Sequence, residues 1–380
     1  MRRLMSWLIS AVALAAFGLW AGCGGGGTNN DIPIGEYSAM TGTTATFGQS
    51  THRGLIMAVD ETNAAGGVLG RKIRLLTEDT QSKPEEAATA VTKLISRDGV
   101  KAVIGEVSSS RSLAAAPICQ ANGIPMVSNA STNPEVTKKG DYIFRVCYID
   151  PFQGEVMARF VYNTLGLRRV AILKDIKNDY SIGLAQYFEE TFRKLGGEVV
   201  ATQAYSEGDI DFKAQLTALK GAEPEAVIVP GYYTEAALIV KQARELNMTM
   251  PFVGGDGWDS AKLIEIGGAA MNNTYFSTAY TADDPDSVVQ NFVKKYEARY
   301  NEKPDAFAAL GYDAGLILFD AIRRAGSVEG AKIRDALAAT RNFRGVTGTI
   351  TIDRDRNARK PIVIIAVVDG RMTYKETIQP

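Results

Sequence analysis

"KAVIGEVSSSRSLAAAPICQANGIPMVSN", residues 101–129, decides the fold of this 380-residue chain. It opens with an apolar run that predicts a buried strand, passes through an alanine-rich stretch that predicts a helix, and closes with a second apolar run. A strand, a helix and a strand in this order predict a right-handed unit with two parallel strands. Three consecutive serines, Ser108 to Ser110, fall where the first strand gives way to the helix.

The same alternation recurs along most of the chain. Residues 31–150 and 151–277 each contain strands followed by helices of about 10–15 residues, which predicts a mostly parallel sheet flanked by helices in each half. After residue 277 come three predicted helices and a β-rich tail. We therefore predict an α/β fold of two lobes that the final segments complete, with residues 278–345 joining lobe 1 and residues 346–380 joining lobe 2.

The first helix is predicted to begin at His52, after the loop "TGTTATFGQST" (41–51), which contains Phe47. His52 is the only histidine of the chain, so a metal site built from several histidines is excluded and one histidine is left for any catalytic triad. We assign it no catalytic role.

The overall charge and the absence of familiar motifs exclude several function classes. With 42 Lys and Arg against 43 Asp and Glu, the formal net charge is −1, which gives no electrostatic reason to expect a nucleic acid partner. The sequence holds no phosphate-binding loop, dinucleotide fingerprint, nucleophile elbow or EF-hand spacing. We expect no enzyme activity, no cofactor and no metal.

The N-terminus is predicted to be a targeting segment. "MRR" precedes a mostly apolar run from Leu4 to Trp20, and "LWAGC" ends at Cys23 before "GGGGTNN". Residues 1–22 have the arrangement of a secretory signal, and they resemble a bacterial lipoprotein signal whose cysteine is acylated after cleavage. Trp20 departs from the usual aliphatic residue three places before that cysteine. An uncleaved membrane anchor is the alternative, but the run is short for a spanning helix.

We predict that residues 23–30 form a flexible tether after a lipidated Cys23, and that the protein lies in the periplasm or at the cell surface. Two further cysteines remain, Cys119 in a predicted helix and Cys147 in a predicted strand. Export permits a disulfide between them. We expect two buried thiols instead.

Polar and aromatic residues follow the predicted strands at the edge where parallel sheets bind ligands. Hydroxyls follow the strands of the first half, while tyrosines and a carboxylate follow those of the second. The residues are Ser108 to Ser110, Ser131, Thr132, Asn133, Tyr180, Tyr232 and Asp256, with Phe47 after the first strand.

This division suggests a zwitterionic ligand held between the lobes. A ligand carboxylate needs hydroxyl and backbone N–H donors, and an ammonium needs a carboxylate with aromatic faces nearby. Each residue alone has a simpler interpretation. The serines are helix caps, the tyrosines are packing residues, and Asp256 is a turn residue. Five strand ends with such residues together favour a site.

Several motifs resemble one family across essentially the whole chain from residue 31. They are "NAAGGVLG" (63–70), "AVIGEVSSSRSLAAAP" (102–117), "SNASTNPE" (128–135), "YIFRV" (142–146) and "GYYTEA" (231–236). The chain resembles the periplasmic substrate-binding proteins of branched-chain amino acid ABC transporters, the leucine/isoleucine/valine-binding type. The resemblance implies a type I periplasmic-binding fold whose two lobes are joined by a three-strand hinge.

The resemblance also implies a role for each matching residue. Ser109 and Thr132 would hold the ligand carboxylate, with backbone groups around Ala130 close to the ligand. Asp256 would accept from the ammonium, Tyr180 and Tyr232 would form the second-lobe wall, and Phe47 would cover the ligand side chain. The ligand would be delivered to the permease subunits of a transporter, and the receptor would be a monomer.

Two positions depart from the family pattern. The relatives have a disulfide near the serine loop, where this chain has Thr80 and Ser108. Arg111 is also unfamiliar there; we expect its side chain in solvent, and an inward one would favour an acidic or larger ligand.

Two other functions stay open alongside amino acid capture. The receptor could serve a different small carboxylate or amide, or a sensory partner in place of a permease. An exported enzyme of this fold is the third alternative, and no pair of nucleophile and base supports it.

Overall fold

The structure is a computed structural model that describes residues 30–380. The predicted signal segment 1–22, Cys23 and the tether up to residue 29 lie outside the described residues. Residues 31–380 form one compact unit that contains two large sheets and one small one.

The first sheet is entirely parallel, with strand order β2-β1-β3-β4-β5. Strands β1, β3, β4 and β5 are almost continuously buried, as expected where helices cover a parallel sheet, and the edge strand β2 is only partly buried. The strands are β1 (Ile32–Ser38), β2 (Ile73–Asp79), β3 (Val103–Ile104), β4 (Met126–Ser128) and β5 (Ile143–Arg145). The helices between them are α1 (Ala45–Ala64), α2 (Pro84–Ser96) and α3 (Ser109–Ala121), and a short 3₁₀ turn covers Thr137–Lys139.

The second sheet has seven strands in the order β15-β14-β10-β9-β8-β6-β7, and only β14 and β15 run antiparallel to their neighbours. Its strands are β6 (Arg169–Asp175), β7 (Glu198–Tyr205), β8 (Ala226–Ile228), β9 (Phe252–Gly254), β10 (Thr274–Thr278), β14 (Ile362–Val368) and β15 (Arg371–Ile378). The helices of this half are α4 (Asp150–Arg159), α5 (Asp179–Lys194), α6 (Lys213–Gly221), α7 (Tyr233–Glu245) and α8 (Ala261–Gly267).

The remaining elements return to the first sheet. They are α9 (Ser287–Tyr300), α10 (Ala306–Ala325), α11 (Gly330–Ala338), and a small antiparallel sheet of β11 (Phe343–Gly345), β12 (Gly348–Ile352) and β13 (Ala358–Arg359). Helix α10 packs on α1 at a close approach. A Cβ atom at Gly54 would lie 1.9 Å from the Ala308 carbonyl oxygen, so glycine is required there.

The chain therefore passes between the lobes three times, after β5, after β10, and between β13 and β14, which agrees with the predicted hinge. The small sheet hydrogen-bonds to first-lobe residues. The Arg145 amide donates to the Arg356 carbonyl at 3.2 Å, and the Val346 amide donates to Asp313 at 2.8 Å. We therefore propose that the last segment of lobe 2 begins near Lys360 and not at residue 346.

The prediction for the start of the first helix is wrong. Helix α1 begins at Ala45, seven positions before His52, so Phe47 lies on the helix and not in a loop. Thr, Phe and Gly are weak helix formers, and tertiary packing overrides that preference here. A Cβ atom at Gly48 would lie 2.1 Å from the Ala39 carbonyl oxygen, so this first turn is pressed against the end of β1.

Candidate functional site

The serine run lies at the start of α3, as its sequence predicted. Ser108 occupies the N-cap position, but its side chain makes no capping hydrogen bond. Ser109 and Ser110 begin the helix itself. The Ser109 hydroxyl accepts from the Asn133 amide at 3.2 Å, and the Ser110 hydroxyl accepts from the Asp179 amide of the other lobe at 3.0 Å. The run therefore faces the neighbouring loop and the opposite lobe.

The loop after β4 carries Ala130 and Thr132, and both are buried. The Ala130 amide donates to the side chain of Asn129 at 3.0 Å. The Thr132 carbonyl accepts from the amide of Asp150 at 2.9 Å, at the first hinge crossing. Because Asn133 also donates to Ser109, the two first-lobe loops with predicted carboxylate-binding hydroxyls are joined directly.

The predicted second-lobe wall, Tyr180 and Tyr232, is a pair of stacked tyrosines near the Asp256 turn. Tyr180 is the second residue of α5 and Tyr232 precedes α7; their rings are 5.5 Å apart and inclined by 6°. The Tyr180 hydroxyl accepts from the Gly257 amide at 3.2 Å. A Cβ atom at Gly255 would lie 2.2 Å from that hydroxyl oxygen, so glycine lets the Asp256 turn approach the ring.

Phe47 connects the two sides. Its ring meets the Tyr232 ring edge-on at 5.5 Å and packs against Phe307 of α10 at 4.5 Å. It also meets the Tyr233 ring at 5.0 Å. Phe47 is therefore a first-lobe side chain that contacts the wall of the second lobe.

Hydrogen bonds across the cleft hold the lobes together. The Asn133 side chain donates to the Asp179 carbonyl at 2.9 Å, and the Tyr233 hydroxyl donates to the Thr43 carbonyl at 3.1 Å. The Thr46 and Ser260 hydroxyls lie 3.1 Å apart. With the bond from Asp179 to Ser110, these contacts show a closed arrangement of the two lobes.

Two buried carboxyl groups, those of Asp256 and Asp150, lie where the two lobes meet. Burial raises the pKa of Asp256 to about 6, and hydrogen bonds from Gln153 and Tyr180 partly offset this. The Gln153 side-chain nitrogen lies 2.8 Å from Asp256 Oδ1. Burial also raises the pKa of Asp150 to about 8; the Thr132 side chain lowers it, and the charge of Asp256 raises it further. An ammonium group is the partner that such a carboxylate favours.

Two more polar atoms lie beside these acids without a hydrogen-bond partner among the described residues, the Tyr148 hydroxyl and Gln153 Oε1. Burial raises the pKa of the Tyr148 hydroxyl well above its ordinary value, and the charge of Asp256 raises it further. Leaving a buried polar atom unpaired costs about 1–3 kcal/mol. These atoms extend the polar part of the site.

Tyr148, Asp150 and Gln153 were not predicted from the sequence. A signal was available in "YIDPFQGEVM" (148–157). Asp150 and Gln153 are three residues apart at a helix start that Pro151 marks, and both share the buried face with Met157. Polar residues on the buried face of a helix point to a partner for their charge or hydrogen bonds.

The prediction that Arg111 lies in solvent is wrong. Its side chain is buried and pairs with Glu106, with Nη1 donating to the two carboxylate oxygens at 2.9 and 3.2 Å. The same carboxylate accepts from the Thr80 hydroxyl at 3.1 Å and from the Ser108 amide at 2.7 Å. Thr80 and Ser108, the positions that depart from the family's disulfide, are thus bridged by one carboxylate. The pairing accounts for the burial.

Cys119 and Cys147 are free and buried, as predicted. Burial raises the pKa of each thiol to about 12, which keeps both protonated at neutral pH. Among residues 30–380, no group of three or more His, Cys, Asp or Glu side chains is placed to hold a metal ion. No helix in the same range is both long and apolar enough to cross a membrane.

Comparisons with known proteins agree with this geometry. A family model described as periplasmic binding protein matches residues 31–371. The Leu/Ile/Val-binding protein BraC3 of Rhizobium johnstonii is 33% identical over 324 residues, which cover 84% of this chain and 87% of that protein.

Two solved structures are also similar. The leucine binding protein LivK of Thermotoga maritima superposes with a TM-score of 0.89 at 42% identity, covering 92% of this chain and 99% of that one. The branched-chain amino acid transporter substrate binding protein LivJ of Streptococcus pneumoniae, in complex with isoleucine, superposes at 0.87 with 35% identity, covering 92% and 100%. These likenesses confirm the predicted type I periplasmic-binding fold and the resemblance from which it was inferred.

Proposed function

Because this chain belongs to the periplasmic binding protein family, we propose that it captures an aliphatic, branched-chain amino acid between its lobes and delivers it to an ABC permease. Relatives named for leucine, isoleucine and valine binding support this ligand class, and so does the isoleucine in the similar LivJ structure. The receptor acts outside the cytoplasmic membrane, anchored by a lipid on Cys23, as a monomer that performs no covalent chemistry on its ligand.

The observation that best supports the proposal is that a carboxylate on one lobe and hydroxyl groups on the other lie at the same cleft. Asp256 supplies a buried carboxylate on the second lobe, and Ser109 and Thr132 supply hydroxyls on the first. Asp150 links the two regions, since its amide bonds to Thr132 and its carboxyl lies within the field of Asp256. A zwitterion is the small ligand that satisfies both sides, because burying either charge unpaired is unfavourable.

In this proposal the ligand carboxylate accepts hydrogen bonds from Ser109, Thr132 and backbone groups around Ala130. Helix α3 adds N–H groups at its N-terminus, where an anion is favoured. The ammonium donates to Asp256. The aliphatic side chain then packs against the rings of Phe47, Tyr180 and Tyr232, which are already held against each other.

A thermal-shift screen of the purified protein tests the proposal. Leucine, isoleucine and valine form one set, and benzoate, acetamide and γ-aminobutyrate form the other. A ligand at 100 times its Kd adds about 2.7 kcal/mol, which is about 4 °C for a unit of this size. We expect a shift with the first set. A shift with benzoate or acetamide and none with any branched-chain amino acid would refute the ligand class while leaving the receptor role intact.

A further inference from the structure

The Glu106 carboxylate stands at the meeting point of the first-lobe loops. It accepts from Arg111, from the Ser108 amide and from the Thr80 hydroxyl, so it contacts the loop after β2 and its own loop after β3. Its backbone carbonyl accepts from the hydroxyls of Ser128 at 3.0 Å and Ser131 at 2.7 Å, which belong to the end of β4 and the loop that follows.

Arg111 extends the same network to the loop after β1. Its Nη2 donates to the Thr44 hydroxyl at 2.8 Å. The Ser82 hydroxyl lies 3.2 Å from both the amide and the hydroxyl of Thr44, and it donates to the Thr41 carbonyl at 2.8 Å. The ion pair therefore connects the loops after β1, β2 and β3, and the Glu106 main-chain carbonyl adds the loop after β4.

The anchored residues are direct neighbours of the proposed ligand contacts. Ser108 precedes Ser109, Ser131 precedes Thr132, and Thr44 is the N-cap residue of the helix that carries Phe47 in its first turn. We propose that Glu106 and Arg111 are a positioning pair that fixes these loops in the ligand-binding arrangement. The inference rests on the proposed function, because it assigns the pair to the carboxylate side of that site.

The surroundings of the pair distinguish it from an ordinary ion pair. Both side chains are 2% exposed or less, and no other ion pair in the part of the chain that the structure describes is so fully enclosed. Exposed pairs such as Lys93 with Glu78 contribute little, since solvent screens them. A buried ion pair that is hydrogen-bonded to the surrounding loops fixes the relative positions of those loops. Moving one loop would break several charge-assisted hydrogen bonds together.

The pairing also bears on ligand selectivity. Two Arg111 nitrogens already donate to Glu106 and Thr44, and the adjacent carboxylate neutralises the positive charge. A ligand with an acidic side chain would therefore meet no free cation here. Arg111 acts through the loops and does not select an acidic ligand.

Single hydroxyl deletions at the edge of the network provide the test, because they leave both charges in place. Thr80→Val removes the donor to Glu106, and Thr44→Val removes the acceptor for Arg111. The Thr44 side chain makes no capping bond, so α1 loses no cap. Thr92→Val is the matched control, since its hydroxyl donates only to the Ala88 carbonyl of the same exposed helix face. Arg111→Met is the stronger perturbation.

Calorimetry with leucine, isoleucine and valine is combined with amide hydrogen exchange of each ligand-free variant. We expect Thr80→Val and Thr44→Val each to weaken binding about tenfold and Arg111→Met about a hundredfold, with Thr92→Val unchanged. Exchange should accelerate in residues 41–44, 80–82 and 106–112 while β8 and β9 of the other lobe stay the same. Saturating ligand should remove the difference in exchange.

Two outcomes would overturn the inference. One is wild-type affinity in Thr80→Val and Thr44→Val, within twofold. The other is faster exchange spread over the central strands of both sheets, which would show a general loss of stability. If the wild type bound none of the three amino acids, the proposed function would fail. Unchanged loop exchange in the ligand-free variants would then separately refute the positioning role.

Discussion

Replacing Asp256 by asparagine removes the charge proposed to hold the ligand ammonium and preserves the shape of the side chain. The carboxylate lies in a buried turn and its Oδ1 accepts from Gln153 at 2.8 Å. The asparagine oxygen can accept the same bond, so the local fold should survive. The variant therefore separates the charge of the group from its packing.

The expected magnitude follows from burial. Truncating one partner of a buried, hydrogen-bonded charge pair costs about 2–5 kcal/mol of binding, so affinity for the amino acid should fall at least about 30-fold. Stability should change in the opposite direction. The folded pKa of Asp256 is about 6, above its ordinary 3.8, so folding favours the protonated form. The resulting penalty is absent below pH 3.8 and complete above pH 6, and at neutral pH it amounts to about 3 kcal/mol.

Calorimetry and urea unfolding at several pH values test both parts. Wild-type affinity should weaken as the pH falls through a midpoint between 3.8 and about 6, while affinity of the Asp256→Asn variant should stay flat over that range. The ligand-free variant should unfold at higher urea than the wild type at pH 7.5 and at the same urea at pH 3.5. A variant that binds leucine within threefold of the wild type at pH 7.5 would refute the assignment of the ammonium to Asp256.

Three further predictions concern the cleft and the first lobe. Burial holds the pKa of Asp150 at about 8, above its ordinary 3.8. The wild type should therefore lose about 4 kcal/mol of unfolding free energy between pH 5 and pH 8, and the Asp150→Asn variant should not. Parallel plots of the urea-derived unfolding free energy against pH for the two proteins would contradict this. The bond to Glu36 raises the pKa of His52 above 6.5, so His52→Gln should lower the unfolding free energy by about 1 kcal/mol at pH 6 and by less at pH 9, measured with guanidinium. An equal loss at both pH values would count against the charged pair. Tyr233→Phe removes the hydroxyl that bonds to Thr43 across the cleft. Dissociation of the ligand, measured by stopped flow, should be about threefold faster, and the unfolding free energy of the ligand-free protein should be unchanged. An unaltered dissociation rate would show that this contact does not slow opening of the cleft.

The alternation of strands and helices was predictable because each element is indicated by its own short stretch of sequence. Each apolar run and helical stretch carries its own periodicity, and the right-handed connection rule leaves few ways to arrange them. The start of α1 was not predictable, since Thr46, Phe47 and Gly48 are weak helix formers and their helical state depends on packing against the end of β1. Element types follow from the sequence; boundaries depend on tertiary contacts.

The predicted site residues came from one rule, that ligands bind at the carboxyl ends of parallel strands. That rule places Ser109, Thr132 and Asp256 at strand ends, and the structure brings their loops to one cleft. It cannot find Asp150, which begins a helix at the hinge. Arg111 was misplaced because exposure of an arginine depends on whether a carboxylate meets it, and Glu106 does so only through the geometry of its own loop.

The buried charges of the first-lobe ion pair neutralise each other, whereas the two buried acids at the hinge and in the second lobe form no ion pair with any residue that the structure describes. This difference would make closure of the cleft depend on a ligand that carries a positive charge. In the first lobe the Glu106–Arg111 pair is neutral and fully bonded, so burying it further brings no new charge penalty. At the hinge and second lobe, Asp150 and Asp256 carry raised pKa values because burial removes water from them. The bonds from Asn133 to Asp179 and from Tyr233 to Thr43, which cross the cleft, join neutral groups, and each contributes about 0.5–1.5 kcal/mol. In the proposed site, an ammonium beside Asp256 would offset the charge penalty of the closed form, so an amino acid would bind that form preferentially and shift the population toward it.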